Sequence, residues 1–138
     1  DTFDKAATRE TILERRREAL HADLLLTGTN AITANGQLVN LDMIGNRTGA
    51  IGFGPRKVVI LAGRNKVVAD LDAAVKRIKE LAAPLNTMRL NKKTPCVKTG
   101  VCHDCSSPER ICNVWSVQEK SYPKGRIRVV LVNADLGF

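Results

Sequence analysis

Between Ala6 and Ala22 the apolar residues Ile12, Leu13, Ala19 and Leu20 fall near one face, with Arg9, Glu10, Glu14, Arg15, Arg17 and Glu18 elsewhere. That spacing predicts a helix. Thr11 and Glu14 have capping-box spacing, and Thr8 and Asp4 compete with Thr11 as its start. The apolar run at 23–29 then suits a buried strand. Residues 31–42 read as a hairpin, because Asn35-Gly36 between two β-prone runs signals a type I′ turn. The glycine-rich stretch 43–54 predicts a loop with a short helix around Arg47 to Ile51. Lys57 to Gly63 is the clearest parallel-type strand. It leads through Gly63-Arg64-Asn65-Lys66 into a helix at about 68–83, whose inner face carries Leu71, Ala74, Val75, Ile78, Leu81 and Ala82. Pro84 is expected to interrupt that helix, with a second short helix at 85–90. Strands at 113–119 and 126–132 close the chain around a Tyr122-Pro123-Lys124-Gly125 turn.

Alternation of continuous apolar strands with helices predicts an α/β fold: one mixed, mainly parallel sheet flanked by helices. The 138 residues fit a single domain with a real core. No apolar run approaches the roughly 20 residues of a membrane span, and the polar start, Asp1 to Lys5, is no signal peptide. Without an initiator Met, Asp1 is not expected to be the gene's start, and a processed, trimmed or partly ordered chain would account for it. Net charge is +8, and Lys76 to Lys98 holds seven basic residues against Glu80 alone. Such a stretch can hold nucleic acid or an anionic molecule. It lacks interleaved aromatics for base stacking, so a solvated face is the simpler reading.

The four cysteines, Cys96, Cys102, Cys105 and Cys112, lie within 17 residues in the pattern C-x5-C-x2-C-x6-C. Thiolates bind soft metals, and a C-x2-C pair brings two sulfurs to one ion from a single turn. Two disulfides suit small secreted scaffolds starved of core, which this chain is not. Metal or cluster ligation is therefore favoured, with disulfides and free redox thiols as alternatives. Pro95, Gly100 and Pro108 bend the segment, and Lys92, Lys93, Lys98 and Arg110 lower thiol pKa values nearby. Four sulfurs can hold zinc or an iron–sulfur cluster, and the spacing does not choose. His103 reads as a solvent-facing loop residue.

Thr27-Gly28-Thr29-Asn30 ends an apolar strand, where α/β proteins bind ligands. Arg47, with Asn40, Asp42 and Asn46 nearby, could clamp a carboxylate or phosphate. The alternative is an ordinary strand exit and a surface arginine. Gly52-Phe53-Gly54-Pro55 precedes a strand and lacks the third glycine, so it is no dinucleotide loop. Gly63-Arg64-Asn65-Lys66 could face an anion through its amides, though a simple turn accounts for it. His21 has no partner for nucleophilic catalysis.

Residues 27–33, 36–42 and 45–47 resemble the LUD-domain (lactate-utilisation) family. So do Phe53 to Val58, Ala82-Ala83-Pro84, the segment from Thr94 to Cys112, and Asp135 to Phe138. The likeness covers nearly the whole chain and is strongest for the stand-alone branch with a C-terminal four-cysteine segment. It implies a fold like that of the sugar-phosphate isomerase and CoA-transferase superfamily. It also implies a single domain over 1–138 that lacks its N-terminal portion, with a cysteine-rich excursion at about 91–112. No catalytic residue carries over.

The expected protein is a cytoplasmic, bacterial one of lactate or organic-acid utilisation. Cys96, Cys102, Cys105 and Cys112 would hold zinc or an iron–sulfur cluster. Thr29, Asn30, Asn46 and Arg47 would bind a small carboxylate or phosphate-bearing ligand, and a redox or subunit partner protein is possible. The alternative is a non-catalytic subunit with a structural zinc knot and a basic docking surface. A nucleic-acid binder ranks third, and no membrane is expected.

Overall fold

The computed structural model describes Asp4 and residues 6–138, so the reading of residues 1–5 as a polar start falls, Asp4 apart, outside the described residues. Thr8 caps the first helix, α1 (Arg9–Glu18), through its hydroxyl to the Thr11 amide. A 3₁₀ turn, Ala19–His21, extends it. The predicted helix therefore stops short of both its expected ends, and none of the residues of α1 is buried.

Seven strands follow: β1 (Leu24–Thr27), β2 (Ala31–Thr33), β3 (Leu38–Asp42), β4 (Lys57–Gly63), β5 (Val67–Val68), β6 (Val114–Gln118) and β7 (Ile127–Val132). They form two sheets, where the apolar pattern suggested one. Sheet A is parallel throughout, in the order β1-β4-β7. Sheet B has the order β5-β2-β3-β6, with parallel pairing only between β2 and β5. The last two strands, adjacent in sequence, thus enter different sheets. Periodicity reports which face of a strand is apolar but not which strand it pairs with, so the split was invisible to it.

The sheets meet through Ile32 and Leu38 of sheet B and Val58, Ile60 and Ala62 of sheet A, with Ile51 from α2 (Asn46–Gly52). The other face of sheet B, through Ala31 and Val39, packs on Ala74 and Ile78. Sheet A is less covered. Leu26 is 63% exposed, and Leu24 and Leu61 are also exposed. The expectation of a buried first strand fails for this reason: β1 buries none of its residues and alternates exposed with half-buried positions.

The hairpin forms with a different turn. Gly36 alone takes positive φ (+85°), and its amide donates to Thr33 O at 2.8 Å. This is a three-residue connection ending on a left-handed glycine, not the type I′ turn that would also need Asn35 at positive φ. The predicted break at Pro84 is also absent. Helix α3 (Leu71–Arg77) passes through a π-helical stretch, Ile78–Ala82, into α4 (Ala83–Arg89). The widened turn leaves room for a residue that has no amide proton and clashes with a regular preceding turn. Arg126 closes the end of α2, donating to Ala50 O, Ile51 O and Pro55 O at 2.6–3.0 Å.

Candidate functional site

Two neighbouring regions carry the candidate chemistry. One is a polar junction where β1 ends and β2, β3 and α2 begin. The other is the cysteine segment, which lies between α4 and β6 and includes the short helix α5 (Pro95–Thr99).

At the junction, Thr29, Asn30 and Arg47 come together. Thr29 is buried, with Oγ1 3.0 Å from Asn40 Oδ1 and within reach of Ala31 O and Val39 O. Asn40 Oδ1 also accepts from the Asn30 amide at 3.2 Å. Those two donors fix the orientation of the Asn40 amide. They leave its Nδ2 as the fully enclosed side-chain polar atom without a partner among the described residues. Asn30 Oδ1 accepts from the Leu41 amide at 3.0 Å and from Arg47 Nη2 at 2.5 Å. Arg47 also meets Asp42, with Nε and Nη2 3.0 and 2.8 Å from Oδ1. Asp42 Oδ2 accepts from the Thr48 amide at 2.7 Å, near the start of α2. Arg47 is thus a brace whose charge Asp42 already balances, and a ligand carboxylate there would compete with Asp42. Asn46 opens α2 as an exposed residue and makes no hydrogen bond to the other three among the described residues.

Two further cations stand at this junction. Arg77 donates from Nε to Asn65 O at 2.9 Å and from Nη1 to Asn30 O at 2.7 Å. Burial holds its pKa below the ordinary value. Lys66, in the 3₁₀ turn Arg64–Lys66 after β4, is only 9% exposed. Burial, then the charges of Arg77 and Arg47, push its pKa down. The sequence of residues 63–66 favours a simple turn over amides facing an anion; the structure adds the half-hidden signal, the buried lysine side chain.

The four cysteines are free and half-buried. Their side chains line one cavity of about 30 Å³, walled by Leu41, Ala83, Pro84 and Trp115. Thr94 Oγ1 lies 3.2 Å from Cys96 Sγ, and the Asp104 amide donates to Cys102 Sγ at 3.4 Å. Arg110 organises the loop from beneath. It donates to Cys112 O at 2.8 Å, Cys105 O at 2.5 Å and Asp104 Oδ1 at 2.9 Å. Arg110's hydrogen bond and the charge of Lys79 hold the Asp104 carboxyl below its ordinary range. Burial, with the other three sulfurs nearby, raises the Cys112 thiol to about 11. His103 is exposed and bonded to Thr99, as a loop residue should be.

Four soft donors facing one cavity suit a soft ion chemically. Among the described residues no three His, Cys, Asp or Glu side chains stand close enough to hold one. The sulfurs share a cavity but are not at ligating separation, so an ion would have to draw them inward.

The LUD domain profile matches residues 1–132, and the chain belongs to that family. It is similar to the crystal structure of a DUF162 family protein from Deinococcus radiodurans, at 15% identity and a TM-score of 0.46. That match covers 84% of this chain and 57% of the other, so the chain spans little more than half its length. No curated protein matches. Among the described residues no helix is long and apolar enough to cross a membrane.

Proposed function

We propose that this chain serves lactate or related organic-acid utilisation, with a soft-metal site on Cys96, Cys102, Cys105 and Cys112 and a small-anion site at the Asn30 junction. The observation that carries the metal reading is the convergence of all four cysteine side chains on one cavity. Arg110 and Lys79 beside it offset the negative charge that four thiolates would bring. Bound zinc would cross-link the segment, whereas an iron–sulfur cluster would carry an electron. The raised Cys112 thiol must lose its proton to ligate, so metal uptake at neutral pH releases protons.

Metal analysis with a visible spectrum on anaerobically purified protein tests this. Colourless protein with stoichiometric zinc identifies a structural knot. Iron with broad visible absorption identifies a cluster. In either case Cys112→Ser should lose most of the metal. Metal-free protein with two disulfides by mass rejects the reading.

For the anion site, the support is a local excess of positive charge. Arg47 and Arg77 both hydrogen-bond Asn30, Lys66 lies within range of the two arginine charges, and Asp42 is paired with Arg47. Thr29, Asn30 and Arg47 would shape the site, and Asn46 would stand at its rim.

A further inference from the structure

Lysine is almost never nearly buried unless something balances its charge. Among the described residues no hydrogen bond or ion pair reaches Lys66 Nζ, and every group that influences its charge disfavours it. The arrangement is therefore costly to the fold as it stands, which directs attention to what would relieve it.

A Cβ built on Gly28, directly after β1, would lie 3.9 Å from Lys66 Nζ, and one on Gly137 would lie 3.6 Å away. The ammonium thus lies close to two glycines, one at the carboxyl end of β1 and one in the segment after β7. That segment is stitched over the exit of β4. The Arg64 amide donates to Ala134 O at 3.1 Å, Asn65 Nδ2 to Gly137 O at 2.8 Å, and the Leu136 amide to Asn65 Oδ1 at 3.2 Å. All three strands of sheet A are parallel, so their carboxyl ends share one edge, and crevices at such edges are where open α/β sheets take ligands. Among the described residues Asn40 Nδ2 is the enclosed polar side-chain atom left unpartnered, so Lys66 Nζ is not wholly shut off from solvent.

We propose that Lys66 is the charged anchor of a small-oxyanion site at the carboxyl edge of sheet A, walled by Gly28 and Gly137, which takes the carboxylate of an organic acid or a phosphate. Arg77 is a positioning residue: it ties Asn65 O, beside Lys66, to Asn30 O and adds to the local positive potential. Arg47 adds to that potential too, but its own charge is met by Asp42. The bound oxyanion supplies the counter-charge that the protein omits. This site deepens the anion reading above and is independent of the thiol site.

Calorimetric titration of the intact protein with L-lactate and, separately, with inorganic phosphate tests the proposal, with chloride at matched ionic strength as the control. Binding of either, weakened about tenfold or more in Lys66→Met, supports it. Gly28→Ala retains the lysine and adds a methyl in ordinary contact distance of Nζ, so it should weaken the same binding severalfold even if Lys66→Met folds poorly. Phosphate binding lost in Lys66→Met, with no lactate binding, supports the Lys66 site while rejecting the organic-acid reading. Unchanged affinity in both variants overturns the site. So does absence of binding by either anion at about 10 mM, above the usual range for metabolites.

Discussion

Arg47 and Lys66 occupy the same corner of the fold with opposite surroundings. Arg47 has a carboxylate, a side-chain amide and a main-chain carbonyl as acceptors. Lys66 is the more enclosed of the two, yet no acceptor reaches it among the described residues. A fold that satisfies one cation so fully has the means to satisfy its neighbour. The contrast separates a group that holds the structure together from one whose partner comes from outside.

Removing the counter-charge of Arg47 should have the largest effect. Asp42→Ala leaves a guanidinium and the Thr48 amide without their acceptor, and stability should fall by about 3 kcal/mol in denaturant unfolding. Thr29→Val keeps the shape but loses the hydroxyl that steadies Asn40, at about 1–2 kcal/mol. Lys66→Met should go the other way. Removing an uncompensated charge while keeping an apolar stem should stabilise the ligand-free protein by about 1 kcal/mol. A loss of stability in that variant would give Lys66 a structural role like that of Arg47.

The smallest effect is on pH dependence. The Lys66 pKa is depressed in the folded chain and near 10.5 in the unfolded one. Below the folded value both states carry the proton, and the native state bears the full penalty. As pH rises through that value the native state discharges first, and stability rises relative to Lys66→Met. The melting-temperature gap between variant and parent should therefore narrow as pH rises through the depressed folded value towards 10.5. Arg77 and Arg47 are the charged groups that act on Lys66, and both oppose its charge.

Local features of the fold were legible in sequence. The β4 strand, the hairpin at Asn35-Gly36 and the helix at Arg47 each follow from short-range pattern, and each is present. The division into two sheets depends on pairing between distant strands, which no local period encodes. The junction was half legible. Thr29, Asn30 and Arg47 stood out as polar groups near a strand exit, but Asp42 as the partner of Arg47 depended on how α2 folds back on β3. Lys66 went unnoticed because a lysine in a turn is ordinarily solvated. What would have revealed it is its place between Asn65 and Val67-Val68, where the chain is about to re-enter a sheet.

The π-helical stretch at Ile78–Ala82 amounts to one surplus residue threaded into a continuous helix. Each residue advances an α-helix by roughly 100°, so the surplus sets the phase of everything after it. Ala83 and Pro84 meet the thiol cavity in that phase, while Ala74 and Ile78, upstream, face sheet B. Deleting Leu81 would turn α4 by about that angle and swing Pro84 off the cysteines with all four thiols still encoded. The helix thus works as a vernier between core and thiol loop, and the length of the chain there matters as much as its chemistry.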